Sequence, residues 1–469
     1  MSASAPKRPN LDSVTTINED GSRFFLYPAD VRGKWTVWRR VFGYVLIAIY
    51  ALLPWIPING NPAVLFDVEN RRFHLAGLTL VPQNFWVLFF GITGLGFALF
   101  FLTALLGRLW CGWACPYTVF LEHIFRRIER FFEGDAPSRK RLASAPWSAN
   151  KAVRQIGKHA FYALAATVIA HIFLSYFIPL PRLYDYMKEG PLSHAAAFGI
   201  VLFLTLVLWF CFGWFREQFC IIMCPYGRLQ SALTDDDTVI IGYDLERGEP
   251  RGAKGKAEGD CIDCKRCVNV CPTGIDIRNG LQLECIGCAA CIDACDEIMR
   301  KIDRPTGLVR YDSMNGLARK KKRVLRPRVF AYTALGLLGL AAFAFTASRK
   351  ASPYVAEISR MRGAPFYSDT AAVRNHYQLR FLNQRNQPVT FTTDLAFAPQ
   401  GFTLSGAGQE ITVAPLGEVT RPLIVIAPAA SYTGKTEITF SIHAEPGDVE
   451  IRHATLFLGP NPESLHPDP

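Results

Sequence analysis

The last 174 residues of this 469-residue chain contain no cysteine, because all 13 cysteines lie between Cys111 and Cys295. That distribution is wrong for a disulfide-stapled secreted protein and suits reduced thiols at a cytoplasmic face. The first 20 residues hold no apolar run, so no cleaved signal peptide is expected. Flavin and nicotinamide fingerprints are also missing, which leaves an electron donor for any redox chemistry unspecified. Only 19% of residues are charged and half are apolar, yet the net charge is +11. Nucleic-acid binders are basic and hydrophilic, whereas this chain is basic and apolar. Its composition points to membrane segments with basic flanks, in contact with lipid and not with nucleic acid.

Five apolar stretches are long enough for a bilayer, which needs roughly 20 residues: 41–58, 85–106, 160–180, 196–214 and 329–347. Arg32, Lys34, Arg39 and Arg40 precede the first. Ten Lys or Arg residues from Arg108 to Lys158 separate the second from the third, and Arg319 to Arg328 precede the fifth. The alternate loops carry only Arg71, Arg72, Arg182 and Lys188. The positive-inside rule then sets the N-terminus and the cysteine-rich segment in the cytoplasm. The tail lies outside, which in a bacterial inner membrane means the periplasm. The expected division is a cytoplasmic segment 1–40, a four-helix core 41–240, a cytoplasmic cysteine-rich module with basic linker 241–328, a fifth helix 329–347 and an outer domain 348–469.

The outer domain alternates apolar and polar residues at Tyr377-Leu379-Phe381, Ile411-Val413, Ile424-Ile426, Ile438-Phe440-Ile442 and Thr455-Phe457. Period-two patterning with turn residues between predicts a β-sandwich. With neither Trp nor Cys there, the antibody-type pin is absent.

Cys261, Cys264, Cys267 and Cys271-Pro272 form one C-x2-C-x2-C-x3-C-P run; Cys285, Cys288, Cys291 and Cys295 form a second that ends in Asp296 instead of Pro. Zinc modules share C-x2-C, but the doubled x2, x2, x3 rhythm belongs to bacterial-type ferredoxins with two [4Fe-4S] clusters. In that fold the fourth Cys of each run ligates the other cluster. Cluster one then takes Cys261, Cys264, Cys267 and Cys295; cluster two takes Cys271, Cys285, Cys288 and Cys291. Ile262, Val268, Ile275, Ile277, Leu283, Ile286 and Ile292 are the expected core around them.

A repeat lies outside that module. The second span leads into Cys111-Gly-Trp-Ala-Cys115-Pro116-Tyr117, and the fourth into Cys220-Ile-Ile-Met223-Cys224-Pro225-Tyr226. Two geometries are open. Helical i and i+4 thiols would share a face about 5–6 Å apart, or the prolines would start new helices and leave Cys115 and Cys224 at their N-terminal ends. Either geometry gives reactive thiolates, suited to copper or to a relay metal centre, with Met223 as a possible thioether ligand. The plain alternative is that these are buried small hydrophobes, as expected for the lone Cys211. After Pro116, Phe120, Leu121, Ile124, Ile128 and Phe131 share one helix face, which reads as a helix in the membrane interface. His159 and His171 are about 18 Å apart along a helix and cannot share one metal.

The chain resembles the cytochrome c oxidase accessory proteins of the FixG/RdxA/CcoG type. The motifs that carry the resemblance are Leu26-Tyr27-Pro28 with Gly33, Phe66-Asp67 to Arg72-Phe73-His74-Leu75, the two cysteine-proline motifs, Arg216-Glu217-Gln218, Arg247-Gly248-Glu249-Pro250-Arg251-Gly252, Gly274 to Arg278 and Glu284 to Cys291. Asn375 to Asn383 look like part of that family's immunoglobulin-like domain. The resemblance implies a membrane cupric reductase serving assembly of cbb3-type oxidases, with copper chaperones or a copper-exporting ATPase as partners. It carries the cluster role onto all eight ferredoxin cysteines and a copper role onto Cys111, Cys115, Cys220 and Cys224. The rival readings are an electron-transfer subunit of a membrane quinol dehydrogenase and a redox-sensing assembly scaffold without enzymatic activity.

Overall fold

Among the described residues, five helices are long and apolar enough to cross a membrane: Lys34–Trp55, Trp86–Leu106, Ala149–Leu174, Ala195–Phe215 and Pro327–Thr346. The computed structural model describes residues 25–462, apart from 59–60, 70–71, 81–84, 253–258, 349–353, 384, 386, 407–409, 416 and 448. The chain divides into two units, Met1–Ala344 and Phe345–Pro469.

Two spans start well before their apolar stretches, and capping explains both. The first begins at Lys34, not at 41, because the Asp293 carboxylate accepts from the backbone N–H of Thr36 at 2.7 Å and from its hydroxyl at 2.7 Å. These are donors that a helix start leaves without partners. The third begins at Ala149, not at 160, because the Ser148 side chain accepts from the Lys151 N–H. It also stops at Leu174, short of 180. Hydropathy marks the lipid-facing part of a helix; caps mark the helix itself.

From Pro116 the chain runs as a short helix, a π-helical turn Leu121–Phe125 and a helix Arg126–Glu133. Leu121 and Phe125 bury against Tyr162 and Phe212. The expected interfacial helix is only partly realised. Phe131 is exposed, whereas on the charged side Glu129 is buried and Arg126 half-buried among other charges.

The ferredoxin module is closed by a strand pair that the sequence pattern did not show. Ile240–Tyr243 runs antiparallel to Val309–Asp312, with Tyr243 opposite Val309. Its core holds Ile275, Ile277 and Ile292 as expected, joined by Met299, Leu308 and Val309. Ala29, Val31 and Trp35 of the N-terminal segment pack onto it. Leu283 is half exposed and outside that core.

The second unit is a sandwich of two antiparallel sheets. One orders Thr403–Ser405, Glu418–Pro428, Ala372–Asn383 and Tyr354–Arg360, with Tyr367–Ser368 beside Ala372–Asn383. The other orders Ile411–Val413, Val389–Phe397, Thr436–Glu445 and Val449–Phe457. Phe381 stacks on Phe391 from the opposite sheet, with ring centroids 4.8 Å apart. Aromatic packing thus ties the two sheets together in a domain that has no cysteine.

Candidate metal centres

The two cysteine runs fold as copies of one loop. Asp263 and Lys265 have φ of 52° and 53°; Gly287 and Ala289, at the equivalent places, have 68° and 62°. Left-handed residues alternating with ordinary ones curl a loop so that its N–H groups point inward, as in anion nests. Here thiols are the acceptors: the Gly287 N–H bonds Cys285 and the Ala290 N–H bonds Cys288.

The eight thiols gather in two sets. Cys295 lies within electrostatic reach of Cys261, Cys264 and Cys267. Cys291 lies within reach of Cys271, Cys285 and Cys288, and also of Cys267, so the two sets adjoin. The last cysteine of each run therefore stands with the first three of the other. Burial pushes the thiols of Cys267, Cys285 and Cys295 up to about 12 in the bare protein. An all-sulfur donor set fits iron–sulfur chemistry and suits no hard cation. Among the described residues, no three His, Cys, Asp or Glu side chains are drawn in around a single ion; a cubane is held from its corners.

The departure at Asp296 has a structural reason. Cys271-Pro272 follows the end of the short helix Arg266–Asn269, but Cys295 lies within the helix Ala290–Lys301. Proline there would remove a helical N–H and clash with the preceding turn. Asp296 continues the helix, and its Oδ1 accepts the Gly307 N–H at 2.8 Å.

The two CxxxCP motifs meet. Cys115 and Cys224 are extended (ψ 123° and 110°), and each precedes a proline that opens a helix, Pro116–Phe120 and Pro225–Leu233. Of the two geometries open to the sequence, the helix-start arrangement is the one adopted. Cys111 lies within electrostatic reach of Cys115 and Cys224, and Cys220 within reach of all three others. The repeats exchange hydrogen bonds. Cys111 Sγ donates to Gln230 Oε1 at 3.4 Å, and the Thr118 hydroxyl bonds Cys220. The Tyr117 hydroxyl reaches the carbonyls of Cys211 and Arg216 at 2.9 and 2.6 Å, while that of Tyr226 bonds Thr103 at 2.6 Å. The Arg108 guanidinium donates to the Gly227 carbonyl.

Burial pushes the Cys111 and Cys220 thiols up to about 12. As free groups they are protonated at neutral pH, so the expectation of ready thiolates fails for these two; a bound metal would have to displace the proton. Met223 is exposed. His171 Nδ1 bonds the Thr167 carbonyl at 2.9 Å, and His159 packs edge-on against Tyr162 and Trp209.

The four-thiol site and the second cysteine run touch through backbone. A Cβ on Gly112 would stand 2.5 Å from the Ile286 carbonyl oxygen, and one on Gly287 would stand 3.1 Å from that of Arg108. The Tyr311 hydroxyl donates to the Gly287 carbonyl at 2.6 Å and accepts from Trp113 Nε1 at 3.2 Å. Arg108 acts electrostatically on both Cys111 and Cys285.

Residues 215–314 match the model of a 4Fe-4S dicluster domain, residues 87–134 a 4Fe-4S binding domain, and residues 344–460 the immunoglobulin-like fold at the C-terminal end of FixG. The chain is 34% identical to protein RdxB of Cereibacter sphaeroides, over 92% of its own length and 96% of that protein's. It belongs to the FixG/RdxA family. RdxA of the same organism is 32% identical over 78% of this chain and 81% of RdxA. The nitrogen fixation protein FixG of Rhizobium meliloti is 36% identical over 62% of this chain and 58% of FixG. The protein is a membrane iron–sulfur electron-transfer protein of the FixG/RdxA type.

One feature of this FixG-type chain lay beyond sequence reasoning: a buried ion network beside the metal centres. Glu129, 3% exposed, meets Arg139 at 3.1 Å and Arg216 at 3.3 Å. Arg126 joins Glu122 at 2.7 Å and Glu217 at 3.5 Å, and donates to the Pro272 carbonyl at 3.2 Å. The guanidiniums of Arg216 and Arg139 hold the Glu129 carboxyl below the usual carboxylate range despite its burial. Arg216 has φ 49°, a positive value uncommon outside glycine. The one signal for the network was Arg216-Glu217-Gln218 in the family resemblance.

Proposed function

We propose that this protein reduces Cu(II) to Cu(I) one electron at a time at Cys111, Cys115, Cys220 and Cys224, for assembly of a cbb3-type cytochrome c oxidase. Cys261, Cys264, Cys267 and Cys295 hold one [4Fe-4S] cluster in this reading; Cys271, Cys285, Cys288 and Cys291 hold the other. When bound, the clusters supply one-electron storage between a donor and the copper. The observation that carries the reading is the backbone contact between Gly112 and the loop Cys285–Cys288, which brings the two sulfur sites together.

The chain's own residues have three tasks. Thiol sulfurs prefer Cu(I), so the site stabilises the product more than the substrate. Gln230 and Thr118 orient the Cys111 and Cys220 thiols. The Arg108 cation favours the thiolate form of Cys111 against the effect of burial. The basic flanks orient the ferredoxin module to the cytoplasm and the sandwich to the periplasm of a bacterial inner membrane. Copper chaperones or a copper-exporting ATPase are the expected partners.

The test is anaerobic purification with metal analysis and EPR, followed by Cu(II) reduction by the pre-reduced protein. The double substitution Cys111→Ala with Cys115→Ala should abolish Cu(I) formation and leave the ferredoxin signals intact. Unchanged copper binding and turnover would refute the assignment. A second reading has its own support: residues 87–134 match a 4Fe-4S binding domain, so the four cysteines would hold a third cluster. It requires roughly 12 iron atoms per chain, against about 8 for two clusters.

A further inference from the structure

A cavity of about 100 Å³ lies between the start of the first span, the helix Arg126–Glu133 and the chain on either side of Cys271. A single water needs only about 10–15 Å³ by the same kind of measure, so the space suits an ion of several atoms. Six guanidiniums line it: Arg39, Arg40, Arg126, Arg127, Arg130 and Arg139. Only two carboxylates, Asp30 and Glu122, line it with them.

The arginines are held in place. Arg39 Nε donates to the Gly112 carbonyl at 2.7 Å, and Arg139 bonds Glu129 and the Pro28 carbonyl. Several buried nitrogens of these groups are nevertheless left over. Among the described residues nothing hydrogen bonds Arg39 Nη2, Arg40 Nε, Arg126 Nε, Arg139 Nε or His123 Nδ1. Arg39, Arg139 and His123 are each more than nine-tenths buried. Burial and Arg39 push His123 down to about 4, so its ring is neutral at pH 7. Buried guanidinium nitrogens without partners are costly. Arg39 and Arg126 meet Glu122, Arg130 meets Asp30 and Arg139 meets Glu129, whereas Arg40 and Arg127 line the cavity with no ion pair among the described residues. An oxyanion in the cavity would give Arg40 and Arg127 a counter-charge, since its oxygens accept from several guanidiniums at once.

We infer that this cavity is a binding site for a phosphate-class oxyanion, either a free phosphate group or the headgroup of an anionic phospholipid. It is separate from the four-thiol site, and it would set a fixed negative charge beside Val270 and Pro272, the neighbours of Cys271.

The test uses the full-length, cluster-loaded protein. Inorganic phosphate is titrated calorimetrically in detergent. In parallel, the protein is assembled into nanodiscs of phosphatidylglycerol or of phosphatidylcholine, and retained lipid is read by native mass spectrometry. Arg40→Gln with Arg127→Gln removes two lining charges; Lys140→Gln with Arg141→Gln removes two exposed charges outside the cavity. Iron content at the wild-type level shows that a variant has folded, and Arg127→Gln alone replaces a double variant that has not. Saturable phosphate binding, weakened about tenfold or more by the cavity variant and unchanged in the control, supports a free anion. Phosphatidylglycerol retained by wild type and lost from the cavity variant, without phosphate binding, supports a lipid headgroup. Binding of neither probe, or equal loss in both double variants, overturns the inference.

Discussion

Gly112 rests against Cys288: a Cβ at position 112 would stand 2.9 Å from the Cys288 nitrogen and 3.0 Å from its Cα. Backbone cannot swing aside as a flexible side-chain end can, so this contact is intolerant of even one methyl group.

Gly112→Ala should cost about 1–3 kcal/mol through overpacking and push the Ile286–Cys288 loop away from Cys111. We expect lower thermal stability, full iron content and slower Cu(I) formation in stopped-flow measurements. Gly96→Ala is the control, because a Cβ there meets open space. Equal behaviour of the two variants would contradict the contact.

Glu129→Gln should destabilise by about 3–5 kcal/mol, the range for breaking a buried charge pair from one side. The folded-state pKa of Glu129 lies below its ordinary value of 4.5. Its charge therefore contributes fully above that value, and the contribution is lost as pH falls below it toward the depressed folded value. Melting curves recorded down through that window should converge for wild type and variant; a constant gap would show that the carboxylate is not what matters.

Asp293→Ala removes the cap on the first span and should cost about 1 kcal/mol, with Asp293→Asn milder. Amide exchange at Trp35 and Thr36, whose N–H groups Asp293 accepts at 3.3 and 2.7 Å, is the local readout. Several-fold faster exchange is expected in the alanine variant; protection equal to wild type would mean that another group caps this helix.

Asp296→Pro should break the helix Ala290–Lys301 just after Cys295. The purified protein should then hold roughly four iron atoms fewer, the content of one cluster. Asp296→Ala keeps the helix, loses only the bond to Gly307, and should keep full iron at a cost of about 1 kcal/mol. Full iron in the proline variant would show that Cys295 tolerates a broken helix.

Features written in local sequence were legible. The x2, x2, x3 rhythm marked both ferredoxin loops, hydropathy marked the five spans, and period-two patterning marked strands such as Ala372–Asn383. What escaped depends on residues far apart in the chain. The start of the first span is set by Asp293, which is 257 positions from Thr36. Arg126 and Glu129 have the spacing of a solvent-facing helix surface, and Glu129 is buried between Arg139 and Arg216, the second of them 87 positions away. The pair Ile240–Tyr243 and Val309–Asp312 is too short for alternation to stand out. Leu283 is apolar but half exposed, since proximity in sequence to a cluster loop does not ensure burial.

The hydrogen bonds exchanged by Tyr117 and Tyr226 bear on how such a molecule could arise. Each tyrosine belongs to one repeat and finds its partner in the other. A chain with a single repeat would carry a hydroxyl and two thiols without these neighbours. The two halves complete each other within one polypeptide. Sequence changes at this seam therefore count twice, because a change in one half alters the surroundings of the other.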